Sequence, residues 1–324
     1  MMLARVAENL YWMARYLERA EDTARLINAT TMMLMDMPRG ASFGWEDLLK
    51  VVGLAEPFHA LYDEASESAV MSFLIQDERN PSSIFACVRH ARENTRTFRE
   101  VLPRESWEWV NELYLYTSTH KSSALDRRKR MEVLTEIIRR RQAVVGLLSG
   151  TMSRDEAFQF MRIGRNVERA DMTSRVLDVS HAVNLPYQGG QFYDLVWVSV
   201  LHALSAHQMY RRHVGVHAKG HKVVHYLLND AQFPRSVRHC LTELQSALGE
   251  LPGEGPQRQI VSLIRALDAV DGRKLAATDA TDGGLHGFCD RLQSGLGLLS
   301  EAIADTYFRA AHAQSLTQTQ FQLA

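Results

Sequence analysis

Charged side chains of both signs recur near the N-terminus at the spacing of one helix face. Arg15, Glu18, Arg19 and Asp22 follow an i, i+3, i+4, i+7 pattern, which Arg25 extends. Guanidinium groups bind carboxylates and phosphates in a forked geometry, so this first stripe could bind an anionic substrate. The same spacing also suits a network of structural ion pairs. Both interpretations stay open from the spacing alone.

A second stripe lies 150 residues further along the chain. RYLERAEDTAR at 15–25 and RNVERADMTSR at 165–175 share six of eleven positions. The charged residues of this second stripe are Arg165, Glu168, Arg169 and Arg175.

Apolar residues flank the second stripe more closely than the first. Phe158, Met161 and Met172 stand where the first copy has polar residues. Partial burial of both stripes is therefore expected, and a buried arginine needs a partner. We expect the more polar first stripe to line a working pocket and the second stripe to be a structural counterpart.

A third charged block comprises Arg92, Glu93 and Arg96. The positions 153 residues later carry no charge, so the fold of a repeated unit does not require the block. The block could join the anion site of the first stripe, or it could be a solvated helix face, and both interpretations stay open.

A further repeated pair indicates a duplicated unit. FLIQDERNPSSIFAC at 73–87 matches YLLNDAQFPRSVRHC at 226–240, and each contains a proline that predicts a helix start, at Asn80-Pro81 and Phe233-Pro234. Proline is scarce, at 8 residues, and apolar spacing is mostly three to four. The sequence predicts an all-α fold, a large helical bundle forming a single domain over 1–324, with an internal repeat of 1–152 and 153–312.

Composition excludes several classes of protein. Lys plus Arg is 37 and Asp plus Glu is 38, so no global charge attracts nucleic acid or a membrane surface. No apolar run reaches the ~18 residues of a membrane span. Three dispersed cysteines favour reduced thiols and a cytoplasmic location. The basic runs 127–130 and 139–141 are interpreted as solvated helix faces rather than nucleic-acid contacts.

Signals for cofactors and metals are weak. There is no glycine-rich phosphate loop after a strand, so no cofactor is expected. His213, His217, His221 and His225 are spaced four apart, but glycines interrupt the row and no carboxylate accompanies it. We interpret the row as a polar face rather than a metal site.

The combined motifs resemble the alpha-E family, a bacterial helical domain with a Glu-Arg signature. The resemblance covers most of the chain and is carried by AENLYWMARYLERAEDTAR, FLIQDERNPSSI, ARENTR, IGRNVERADMTSR, YRR and FPRSV. It implies association with a circularly permuted ATP-grasp ligase and with a transglutaminase-like peptidase. It therefore implies a role in an amide-bond-forming or peptide-modification system, without supplying a reaction.

Three functional interpretations follow. The chain could bind an anionic carboxylate or phosphate for such a system. It could be an enzyme with Glu18 or Glu168 as acid or base, although neighbouring arginines favour an ionised carboxylate over a proton donor. It could be a helical scaffold whose stripes are structural ion-pair networks. The sequence identifies neither the substrate nor the oligomeric state, and it leaves open whether the chain is an enzyme.

Overall fold

The all-α prediction is confirmed. The structure is a computed structural model that describes residues 2–37, 43–179, 191–275 and 284–309, and these ranges contain helices and no strand. The α-helices are α1 (Ala4–Met35), α2 (Trp45–Val51), α3 (Ala55–His59), α4 (Glu67–Ile75), α5 (Ile84–Thr97), α6 (Arg104–His120), α7 (Arg127–Thr151), α8 (Glu156–Leu177), α9 (Gln191–Ala203), α10 (His207–His213), α11 (Gly220–Asn229), α12 (Val237–Gly249), α13 (Gly255–Asp268), α14 (Gly272–Leu275) and α15 (Leu285–Ile303). A π-helical turn over Ala304–Arg309 follows α15.

The long helix α1 lies at the centre of the bundle. It contacts α5, α7, α8 and α9 and also the π-helical turn, and α8 is its main neighbour. Its apolar residues recur every three or four positions, as Leu10, Met13 and Leu17 illustrate, and all three are buried. The charged residues Glu18 and Asp22 are buried on the same helix. Because α1 is central, it is buried on several sides. This position brings the first stripe inside the protein.

Two helix starts lie later than the proline positions predict. The N-cap of α5 is Ser83, whose hydroxyl accepts a hydrogen bond from the Ala86 N–H. The helix therefore starts three residues later than the Asn80-Pro81 prediction, which is wrong by this amount. Asn80 instead stabilises that turn by donating to the Phe73 carbonyl. The Phe233-Pro234 start is displaced in the same way, since Ser236 caps α12. In both places a serine hydroxyl satisfies a free N–H of the first turn.

No helix among the described residues is long and apolar enough to cross a membrane.

Gly164 lets α8 approach α1 closely. A Cβ atom at this position would lie 2.3 Å from the Tyr11 carbonyl oxygen, which belongs to the α1 backbone and cannot move aside without shifting the helix. The position 150 residues earlier is Ala14, which is buried. Close approach at Gly164 therefore sets the distance at which the two stripes face each other.

Gly164→Ala is expected to destabilise the protein. Overpacking of this kind costs about 1–3 kcal/mol, more than the ~1 kcal/mol that alanine adds in a helix interior. Gly146→Ala on α7 is the matched control, because nothing lies within 4 Å of a Cβ there, and it should raise the stability. Chemical denaturation of both variants measures the difference. Equal stabilisation by both substitutions would contradict the close approach.

Candidate functional site

Glutamate–arginine pairs cross between α1 and α8. Glu168 accepts hydrogen bonds from Arg15 Nε at 2.7 Å and from Arg19 Nε at 2.5 Å and Nη2 at 3.0 Å. Glu18 accepts from Arg169 Nε at 2.7 Å. The glutamate side chains are 0% and 2% exposed, so both carboxylates are desolvated and depend on these partners. Each helix thus supplies the carboxylate that holds an arginine of the other.

Further arginines from other elements complete the site around Glu18. Arg141 of α7 pairs with Glu18, and with Glu21 at 2.5 Å. Arg235, just before α12, lies 2.8 Å from Glu18 and 3.0 Å from Glu21 and also pairs with Asp22. We call the assembly of Glu18, Glu21, Asp22, Arg141, Arg169 and Arg235 the buried charge cluster. It ties α1 to α7, α8 and the start of α12.

Sequence reasoning missed Arg141 and Arg235. The run 139–141 was expected to be solvated, which is wrong for Arg141, and the run 127–130 contains a second buried arginine, Arg130. The available signal was the apolar register of α7, since Arg141 follows Ile137 at i+4 on the buried face. Arg130 donates to the Ala124 and Leu125 carbonyls and to Glu67, so its charge is paired.

The pKa values of the buried acids separate into two kinds. Burial raises the pKa of Glu168, but Arg19 and Arg15 outweigh burial and hold that pKa at about 2. Burial likewise raises the pKa of Glu18, and Arg141, Arg169 and Arg235 lower it far below its usual range. Asp22 is the opposite case: burial, aided by its acidic neighbours, outweighs Arg235 and raises its pKa to about 7. The two glutamates are therefore ionised at neutral pH.

Other predicted site residues lie outside these crossed pairs. Arg25 pairs with Glu21 at 2.7 Å, and Arg175 pairs with Asp171 at 2.8 Å, each within its own helix. Arg92 donates to Asn111 of α6 and to Glu93, and Glu93 also pairs with Arg96. None of the ion pairs found among the described residues links this third block to either stripe.

Arg165 differs from the expected pairing. No hydrogen bond or ion pair to the described residues is made by this half-buried arginine, and its buried Nε has no partner. Its counterpart Arg15 is held by Glu168, whereas Glu18, the carboxylate in the corresponding place, is taken by Arg141, Arg169 and Arg235. Burial and the charge of Arg169 lower the pKa of Arg165 to about 10.

A groove adjoins Arg165 between α1, α7 and α8. The cavity volume is about 30 Å³, and the cavity is partly open to solvent. Three arginines and one serine line it, Arg141, Arg162, Arg165 and Ser149, together with the apolar residues Met13, Ala14, Leu17, Val145, Leu148, Phe158 and Met161. Arg162 is paired with Glu243 at 2.9 Å, so Arg165 is the groove arginine without a carboxylate partner among the described residues.

Residues 2–308 match the Alpha-E family, described as a predicted alpha-helical domain with a conserved ER motif. The chain belongs to the Alpha-E family. Its Glu18-Arg19 and Glu168-Arg169 dipeptides are ER sequences, and they form the crossed pairs.

Curated relatives of this Alpha-E chain are uncharacterized proteins of Mycobacterium bovis and Mycobacterium tuberculosis. Each is 25% identical over 280 residues, which cover 79% of this chain and 31% of the relative. The chain thus spans about a third of the length of these relatives. No solved structure matches the chain.

The predicted row of histidines is divided between two helices. His213 ends α10, whereas His221 and His225 lie on α11. Among the described residues, one cluster could present three ligands to a metal, formed by Asp178, His286 and Asp290. His286 lies 2.8 Å from Asp178 and 3.4 Å from Asp290.

Glu18→Gln is expected to destabilise this Alpha-E protein by about 3–5 kcal/mol, because removing one charge of a buried network leaves the others uncompensated. Glu108→Gln is the matched control, since the Glu108–Arg104 pair is exposed at 3.9 Å and should contribute under ~1 kcal/mol. Urea unfolding of both variants measures the two costs. A Glu18 cost in the range of the control would show that the crossed pairs contribute no more than a surface pair.

Stability should respond to pH in opposite ways at Glu168 and Asp22. The pKa of Glu168 is lowered, so its contribution to stability is present above the ordinary glutamate pKa of 4.5 and is lost as pH falls towards about 2. The pKa of Asp22 is raised, so its contribution is present below 3.8 and is lost as pH rises through about 7. The cost of Glu168→Gln should therefore shrink between pH 7 and pH 3. Asp22→Asn should gain stability relative to the parent between pH 5 and pH 8.

Denaturant unfolding at these pH values tests the signs separately. Free-energy differences that stay constant with pH would contradict the assigned shifts.

Proposed function

We propose that this Alpha-E chain is the substrate-binding component of an ATP-grasp-linked system for amide-bond formation or peptide modification. The chain binds an anionic group, a carboxylate or a phosphate, that belongs to a substrate or an intermediate. Arginine side chains of its charged stripes contact this group. The observation that carries the proposal is Arg165, a stripe arginine that lines a groove without a carboxylate partner among the described residues. Arginine is the side chain best suited to forked recognition of such anions.

A binding role fits the glutamates better than an acid–base role. Glu18 and Glu168 each accept from arginines of the opposite helix, and their pKa values lie far below neutrality. A carboxylate in this state does not donate a proton at neutral pH, and the arginines occupy its oxygens. The chemistry of the system is therefore assigned to a partner rather than to these residues.

The partner we propose is a circularly permuted ATP-grasp ligase, with a transglutaminase-like peptidase as a second partner class. The resemblance to the family supplies these classes. The relatives support a partnership in one respect, since the matched region is 31% of their length and the remainder can hold further domains. We assign the system to the bacterial cytoplasm, with no cofactor bound by this chain itself.

Duplication of a helical unit is part of the proposal. The crossed pairs Arg19–Glu168 and Arg169–Glu18 exchange the same residue types between two helices. Cys87 and Cys240 each donate to a proline carbonyl six residues earlier, both at 3.6 Å. These reciprocal details support two units of about 150 residues, 1–152 and 153–312, within one body.

A helical scaffold is the second candidate. The observation that favours it is the saturation of the first stripe, in which Arg15, Arg19 and Arg25 all have carboxylate partners inside the chain. In that case the stripes stabilise the bundle, and partner binding occurs on its outer surface.

Reconstitution with a circularly permuted ATP-grasp ligase from the same organism tests the proposal. We expect the chain to increase substrate-dependent ADP release. Arg165→Gln should lower this increase at least tenfold while the melting temperature is kept. Arg15→Gln should act through stability, because it strips a partner from the buried Glu168. An increase that Arg165→Gln leaves unchanged favours the scaffold, and no effect of the chain on the ligase contradicts both candidates.

A further inference from the structure

We propose that the groove between α1, α7 and α8 binds a small carboxylate that carries an apolar group, with Arg165 as the residue that receives the carboxylate. This inference deepens the proposed function by naming the class of substrate and its place. It rests on three observations: an arginine without a partner, a local excess of positive charge, and apolar walls around both.

Competition at Glu18 leaves Arg165 without an ion-pair partner among the described residues. In the other half, Arg15 and Arg19 share Glu168. The corresponding pair, Arg165 and Arg169, would share Glu18, but Arg141 and Arg235 arrive from α7 and from the start of α12 and occupy it with Arg169. The Nε of Arg165 therefore lies buried beside the groove without an acceptor among the described residues. A ligand carboxylate would supply the acceptor that Glu18 does not.

The charges around the acids of α1 sum to a positive excess. Around Glu18, Glu21 and Asp22 lie five arginines. These five are Arg25, Arg141, Arg165, Arg169 and Arg235. Even with all three acids ionised, two positive charges remain in this set. Glu243 pairs with Arg162 and also attracts Arg165 from a distance, without an ion pair to it. A buried excess of one sign favours an ion of the other sign.

Apolar side chains form most of the remaining wall. Leu17 and Met13 of α1, Leu148 of α7, and Phe158 and Met161 of α8 line the groove. Apart from the arginines, Ser149 is the polar side chain of the lining, so the wall offers few hydrogen-bond partners to a sugar-bearing ligand, whereas it favours burial of a hydrocarbon group. One free guanidinium opposite hydrocarbon walls suits a monoanion of amphipathic shape. A single carboxylate with a short aliphatic chain has this shape.

The corresponding region of the first half lacks these properties. A cavity there is lined by Glu8, Tyr11 and Trp12, at the positions of Phe158, Met161 and Arg162. Its one lining arginine, Arg309, is paired with Asp305 at 2.6 Å. Glu8 would repel an anion, so we place the carboxylate in the groove of Arg165.

Titration calorimetry with hexanoate tests the site, with three comparison probes. Hexanamide has nearly the same shape without charge, acetate has the charge without the chain, and inorganic phosphate tests a different anion. We expect hexanoate to bind with one site per chain, at least tenfold more tightly than each of the other three. Tightest binding of phosphate would overturn the carboxylate assignment, and equal binding of hexanamide would overturn the role of charge.

Variants locate the binding. Arg165→Gln should weaken hexanoate binding at least tenfold and leave the melting temperature equal or higher, because it removes an uncompensated cation. Arg165→Lys should restore part of the affinity. Arg309→Gln is the matched control at the other cavity and should leave the affinity unchanged. Loss of binding in Arg309→Gln with none in Arg165→Gln would overturn the placement.

Hexanoate binding needs no ligase, so this test and that of the proposed function fail separately. Arg165-dependent binding without any effect of the chain on ligation would keep the groove and reject the ligase role. Ligase stimulation without hexanoate binding would reject the groove as the carboxylate site.

Discussion

Two carboxylates that water does not reach determine how the central helices pack. Glu18 lies on α1 and Glu168 on α8, and each accepts hydrogen bonds from arginines of the opposite helix. A buried carboxylate without partners costs several kcal/mol, so any slip of one helix along the other, about 5.4 Å for a full turn, would strand both charges at once. The crossed pairs therefore fix the register of α1 against α8, and Gly164 allows the close approach that they need.

The two ends of this arrangement are unequal. Glu168 is satisfied by arginines of a single helix, α1, whereas Glu18 receives arginines from α7, α8 and the start of α12. The additional connections tie more of the bundle to Glu18, but they leave Arg165 without a partner among the described residues. The additional arginine contacts at Glu18 thus leave the cation of Arg165 unpaired among the described residues, beside the groove.

The helical class and the burial of the stripes could be predicted from the sequence, because apolar spacing and the repeated Glu-Arg dipeptides are local patterns. Arg141 and Arg235 could not, since their partners on α1 are more than a hundred residues away and a run such as 139–141 is typical of a solvated face. That Arg165 has no partner among the described residues could not be predicted for the same reason. It depends on competition between helices, which no spacing within one helix reveals.

Ion pairs inside a protein are poor sources of stability, because apolar residues of similar volume often stabilise a core as well or better. The buried charge cluster is therefore better explained by a property that apolar residues lack, the directionality of hydrogen bonds. Glu18 accepts arginines only in particular directions, so it specifies one packing of α1, α7 and α8, as buried polar groups do in some helical assemblies. Arg165 does not take part in that specification, since it holds no carboxylate among the described residues. A half-buried cation without an ion-pair partner has a free-energy cost that a bound anion would offset, which is why the groove, rather than the crossed pairs, is where we place the substrate.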